Sequence, residues 1–236
     1  LQRVRSLPWW TCLGGLGGAS LVAVGATAAP EIGVALLTVG LVAGATVGGL
    51  LVDRVGLGPG GHRPITGPRL AGAALCLLAI GISAVEGLRA ASPLLLTLVV
   101  VAGCLISGQQ ALNGRVRQAS DAAVATLVNF VVGTSALLVG LGLAALLGGV
   151  HVHHWPSQWW LYLGGPIGAS FVALAAVVVH QLGVLRLGLA VTAGQLVGAI
   201  LLDVRRGVAA TTLVAATLTM GAVVVSGATW GRRRGS

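Results

Sequence analysis

Apolar residues along this chain neither alternate with polar ones nor keep to one helical face. They run almost unbroken for about twenty residues at a time and stop at short polar connections. Eight such runs can be drawn: Trp9–Ala29, Ile32–Val52, Leu70–Val85, Leu94–Leu112, Ala122–Val150, Trp159–Val179, Leu182–Leu202 and Ala209–Ala228. A hydrocarbon core about 30 Å thick is crossed by roughly 20 residues at helical rise, so each run predicts a membrane-spanning helix. The period-two pattern of barrel strands is absent, and in lipid a closed barrel is the only other fold that satisfies every backbone group. The fold class expected is therefore all-α, a polytopic transmembrane helix bundle with eight spans and no soluble domain. A cleaved signal peptide is not expected, because the first run is followed at once by another of full length.

Composition agrees: 56% of the 236 residues are apolar and 8% are charged, against about 25% charged in soluble domains. All 14 basic residues are arginine, and the net charge of +9 tests as a topology signal. With the N-terminal side taken as the first side, Arg3, Arg5, Arg54, Arg63, Arg69, Arg115, Arg117, Arg186, Arg232, Arg233 and Arg234 fall on it, and only Arg89, Arg205 and Arg206 on the other. The positive-inside rule then makes the first side, and both termini, cytoplasmic. This accounts for the charge without nucleic acid, and the terminal GRRRGS reads as an anchor on anionic headgroups. Cys12, Cys76 and Cys104 lie inside apolar runs with no metal or disulfide spacing, so they read as small buried hydrophobes. His151, His153 and His154 form HVHH, but no second ligand cluster accompanies them, and no metal is expected.

The chain contains itself twice. WWTCLGGLGGASLVA from Trp9 aligns with WWLYLGGPIGASFVA from Trp159, and at the same offset of 150 the match continues to Asp53 on Asp203, with 20 of 45 positions identical. A weaker match carries Leu70–Ser83 onto Leu213–Ser226. Five spans separate the two Trp-Trp pairs, an odd number, so the second copy enters the membrane from the opposite face. Inverted repeats of this kind recur in secondary transporters. The second copy has two spans before its Trp-Trp pair and the first has only LQRVRSLP. The expected unit is thus a five-helix repeat, with eight of ten helices in this sequence. Residues 1–89 hold the last three helices of the first repeat and residues 90–236 the complete, inverted second repeat.

SGQQALNGRVRQASDAAVATLVNFVVGTSALL, then WWLYLGGPIGASFV, then LGVLRLGLAVTAGQLVGAILLD, resemble the YdcZ-like branch of the drug/metabolite transporter superfamily. The ordered Gln…Asn-Gly-Arg, Asn-Phe-x-x-Gly-Thr, Trp-Trp and Ala-Gly-Gln blocks carry the resemblance, which extends from Pro8 to about Ala228. It implies five-helix units encoded singly or fused in tandem, and a bacterial inner-membrane, multi-pass exporter. The missing pair of helices is where this chain departs from that pattern.

Candidate residues follow from where polar groups and glycines fall. Gly14 and Gly18, Gly44 and Gly48, and their counterparts Gly164, Gly168, Gly194 and Gly198 are spaced by four, the pattern that lets helices approach closely in lipid. Gln195, Ser20 and Ser170 fall near mid-span, where intramembrane polar groups call for a functional hypothesis. Gln195 is the leading substrate-contact candidate, weighed against an interhelical hydrogen bond, and the serines against bonds to their own helix. Gln109, Gln110 and Asn113, with Asn129 on the next span, would line a cytoplasmic vestibule or bind helices together. Asp53 and Asp203 occupy equivalent span ends on opposite faces. A carboxylate at a helix C-terminus opposes the macrodipole and needs a cation, here Arg54 for one and Arg205 or Arg206 for the other. They are candidates for alternating gates. Trp9, Trp10, Trp159 and Trp160 read as interfacial anchors.

The function expected is secondary transport of a small molecule by alternating access, with the bilayer and that molecule as partners and no cofactor. The other class kept open is a non-transporting half-module that assembles with another chain or with copies of itself. An enzyme is not expected: no HExxH or GxSxG occurs, and no span pairs Ser with His or two Asp residues.

Overall fold

The computed structural model describes residues 7–88, 92–148, 157–203 and 210–227. Among these residues all regular structure is helical: a 3₁₀ turn at Trp9–Gly14, α1 (Gly15–Val55), α2 (Gly67–Leu88), α3 (Pro93–Ala119), α4 (Ala122–Leu146), a second 3₁₀ turn at Trp159–Leu163, α5 (Gly164–Leu182), α6 (Val184–Asp203) and α7 (Ala210–Gly227). Among the described residues five segments are long and apolar enough to span a bilayer, Trp9–Gly33, Leu36–Val55, Pro93–Ala119, Ala122–Leu146 and Trp159–Leu182. The molecule is a helical membrane bundle.

α1 holds two of the expected spans. Its 41 residues are interrupted at Gly33, whose φ of 78° and ψ of 155° lie outside the helical region in backbone space that is essentially restricted to glycine. The chain reverses there. A Cβ placed on Gly25 would lie 4.0 Å from Leu37 Cδ2, although twelve residues of straight helix would separate them by about 18 Å. The same device recurs between α5 and α6, where Gly183 has φ 79° and ψ 168°.

α3 lies in the groove between the two arms of α1. Moving up the first arm, Gly14 faces Asn113 and Gly17 faces Leu105, so that arm is antiparallel to α3; along the second, Gly40 faces Val99 and Gly48 faces Cys104, so that arm is parallel to it. The approach is backbone to backbone. A methyl group at Gly44 would overlap the carbonyl of Val100, and one at Gly103 would overlap that of Leu41. The Ser107 hydroxyl donates to the Ala45 carbonyl at 2.8 Å, and the Cys104 thiol donates to that of Gly44 at 3.2 Å. Apolar surface drives no association in lipid, so such close contact and these bonds hold the helices together.

α2 packs along α7, with Gly72 near the start of one against Ala222 and Ser226 near the end of the other. Two apolar clusters join these units: Val42, Ala73, Cys76, Leu185, Leu189 and Ala222, and Val52, Ala111, Ala175, Val179, Val184 and Leu187. Both centre on the start of α6, beside the Gly183 break.

Candidate functional site

A helix break in or near a membrane exposes backbone groups that have no intrahelical partner: the last carbonyls of one helix and the first N–H groups of the next. At Gly183 members of both sets are bonded from elsewhere in the chain. The Arg63 guanidinium donates through Nη1 to the Leu182 carbonyl at 3.1 Å, and through Nη2 to those of His180 at 3.0 Å and Gln181 at 3.1 Å. On the other side of the break, Asp53 Oδ1 accepts from the Val184 N–H at 2.9 Å and Oδ2 from that of Leu185 at 3.3 Å. A cation thus sits at a helix C-terminus and a carboxylate at a helix N-terminus, each at the favourable end of the dipole.

Asp53 reaches α6 because α1 ends on the left-handed Gly56, φ 72°, and the chain turns back beneath it. The Arg63 N–H donates to the Asp53 carbonyl at 2.7 Å, which fixes the loop. Asp53 is only 2% exposed and Arg69 6%, and Arg69 Nη2 makes an ion pair with Asp53 Oδ2 while Nη1 donates to the Pro64 carbonyl at 3.3 Å. Gly183 has no room for a side chain: a Cβ would stand 3.0 Å from Asp53 Oδ2 and from Arg63 Cδ. Asp53, Arg63 and Arg69 therefore form a latch that ties the end of α1 and the start of α2 to the α5–α6 junction.

Other arginines expected on the same side gather at this end. Arg115 donates to the Gly56 carbonyl at 2.8 Å and lies 5.6 Å above the Trp10 ring, within range of a cation–π contact. Arg186 Nε donates to the Ser226 carbonyl near the end of α7, at 2.9 Å. Two clefts of about 390 Å³ open here, one beside Gly58, Pro59, Gly61 and Arg115, the other beside Arg117, Ser120, Asp121 and His180.

The sequence-predicted residues divide between inside and outside. Gln110, Asn113 and Asn129 are buried, and Asn113 Nδ2 donates to Asn129 Oδ1 at 2.9 Å. Gln109 lies over Gly17 and Gly18, its Oε1 buried without a protein partner among the described residues. Ser20 and Ser170 each bond their own helix, at the carbonyls of Gly17, 2.7 Å, and Pro166, 2.9 Å. Ser170 and Gln195 are exposed on the outer surface, so Gln195 is not brought to the buried carboxamides.

Asp53 pairs with Arg69, not with Arg54. Arg54 is the next residue along the helix, turned about 100° away, and it is exposed. The Asp203 side chain, Arg205, Arg206 and the HVHH histidines lie outside the described residues. Of the glycines, Gly14, Gly18, Gly44 and Gly48 are closed over by α3, whereas Gly164, Gly194 and Gly198 have nothing described within 4 Å of a Cβ position and Gly168 meets only the tip of Phe130 at 3.8 Å. Sequence reasoning missed the roles of Arg63 and Arg69. Both stood in view as topology charges, but Arg63 acts on backbone carbonyls, which leave no mark in a sequence.

No curated protein and no solved structure matches the chain. The family described as "Putative inner membrane exporter, YdcZ" matches residues 1–82 and 94–230. A helical membrane bundle with charge-capped helix breaks suits that description, and with the match extending over most of its length, the chain belongs to the YdcZ family.

Proposed function

We propose that this protein exports a small molecule by alternating access and that the Asp53–Arg69–Arg63 latch is its gate on the cytoplasmic side. The observation that carries this reading is the buried Asp53 carboxylate, which belongs to the first copy yet caps a helix of the second. Opening this end requires the start of α6 to leave Asp53, and the broken helix ends then need water or new partners. That makes two discrete arrangements more favourable than a continuum. By the repeat, Asp203 with Arg205 is the opposite gate, acting on the equivalent break at Gly33. Both termini lie on the cytoplasmic side in this reading, as the arginine bias requires.

The test is accessibility. In a chain with Cys12, Cys76 and Cys104 replaced by Ser, Leu187→Cys places a thiol in the buried cluster beside the break. A membrane-impermeant maleimide added to the arginine-bearing side of everted vesicles labels it slowly. Asp53→Asn raises that rate about tenfold, equivalent to roughly 1.4 kcal/mol in the opening equilibrium. An unchanged rate in a folded Asp53→Asn protein overturns the gate. Everted vesicles also report export directly, as accumulation from a panel of labelled small molecules that depends on the intact chain.

A further inference from the structure

We infer that the start of α6 is a carboxylate-binding site, held by Asp53 in this structure, and that the molecule handled at this gate is a small organic anion whose carboxylate takes Asp53's place. The class of ligand rests on the gate reading; the site does not. Both Asp53 oxygens are engaged as those of a free carboxylate would be, Oδ1 by the Val184 N–H at 2.9 Å, and Oδ2 by the Leu185 N–H at 3.3 Å and by Arg69 Nη2. Two acceptor atoms shared among three donors match a planar oxyanion better than a spherical halide. N–H groups at a helix N-terminus favour such a charge.

A second observation is independent of the helix end. Arg69 is 6% exposed, and its Nε, on the same edge of the guanidinium as Nη2, is buried without a partner among the described residues. Arginine grips a carboxylate best through both donors of one edge. Asp53, tethered to α1 and shared with α6, fills only one of them. A carboxylate free of the chain can turn to fill both, so the orphaned donor suits a ligand better than the resident side chain. Charge points the same way. Arg186 lies in the field of Arg63, Arg69 and Asp53, so three guanidiniums share one carboxylate among the described residues, and positive charge is in excess once Asp53 withdraws. The approach is at hand: a Cβ on Gly58 would lie 3.8 Å from Val184 Cγ2, and the same loop, with Arg115, lines a cleft of about 390 Å³.

The site is tested without transport. Asp53→Ala removes one carbon and two oxygens, which is the size of formate. In detergent at constant ionic strength, formate at about ten times its dissociation constant is expected to raise the thermal midpoint of this variant by about 3–6 °C. Chloride should leave it unchanged, and the native protein should not respond, because Asp53 holds the site. No rise in formate, an equal rise in chloride or an equal rise in the native protein overturns the site. Should the variant not survive purification, the yield of monodisperse protein solubilised in formate against chloride reads the same contrast. The ligand class is read with Asp53 in place, in the Leu187→Cys chain. Saturating propionate is expected to raise the maleimide labelling rate about tenfold, as Asp53→Asn does, and propylammonium to leave it unchanged. Equal rates in the two salts overturn the organic anion. If Asp53→Asn itself leaves labelling unchanged, the gate reading fails and the ligand class falls with it, while formate still decides the site.

Discussion

At Gly33 and at Gly183 the backbone takes the same turn, φ 78° and ψ 155° in one, φ 79° and ψ 168° in the other. The two turns have different surroundings. A Cβ at Gly183 would strike Asp53 and Arg63, while one at Gly33 would meet nothing within 4 Å among the described residues. The conformation is therefore a property of the local sequence, which repeats. The latch is a property of the 53–69 segment, which the second copy replaces with a much shorter loop. Each glycine breaks its helix, but among the described residues the break at Gly183 is capped by Asp53 and Arg63 from that segment.

Removing the latch at the Gly183 junction should produce the largest effect. Asp53→Asn leaves Arg69 buried with its charge unpaired, and breaking a buried pair from one side costs about 3–5 kcal/mol. The thermal midpoint in detergent should fall sharply, whereas Arg54→Gln, at an exposed site, should stay within about 0.5 kcal/mol of the native protein. Equal midpoints for the two variants would mean that the junction is held by packing alone. Next in size is the contrast between the two glycines. A residue forced into this backbone region costs about 1–3 kcal/mol wherever it is, so Gly33→Ala and Gly183→Ala should both destabilise. Gly183→Ala should lose about 1–3 kcal/mol more, the range for overpacking a filled site. If Gly33→Ala is the worse of the two, its surroundings are as filled as those of Gly183.

The comparison also shows which parts of the molecule could be read in advance. Eight apolar runs gave the helices, and the odd spacing of the Trp-Trp pairs gave an expectation of two inverted copies. The break itself could have been found: Gly33 and Gly183 are identical at equivalent positions, and each is the second residue of a run, just past the gap before it. What could not be read was reach. Asp53 finds its partner sixteen residues on at Arg69 and its N–H donors 131 and 132 residues on at Val184 and Leu185, and no periodicity links such positions. Gln195 stood out by depth, but depth along a helix does not say which way a side chain faces.

A smaller test concerns the glycine stripes. At Gly44→Ala the new methyl must push α3 away from its closest approach, with a loss of about 1–3 kcal/mol. Gly194→Ala meets open space, and the higher helix propensity of Ala, up to about 1 kcal/mol in water, leaves the change neutral or slightly stabilising. A loss at Gly194→Ala as large as that at Gly44→Ala would mean that the second stripe is already covered.

The smallest expected effect concerns the buried carboxamides, and it separates two readings of the same residues. Asn113 and Asn129 hydrogen-bond to each other at 2.9 Å, beneath the turn where the first copy begins. Such bonds in membrane proteins average about 0.6 kcal/mol and reach about 1.7. If the pair only joins α3 to α4, a double-mutant cycle with Asn113→Leu and Asn129→Leu should return a coupling in that range, with the Leu187→Cys labelling rate unchanged. If the pair also serves the vestibule expected from the sequence, the same variants should shift that rate while the coupling stays small. Gly14 favours the first outcome. Its Cβ would stand 2.7 Å from Asn113 Oδ1, so the first copy presses a bare backbone onto the amide pair, and a side chain clamped between three helices is poorly placed to turn toward a passing substrate.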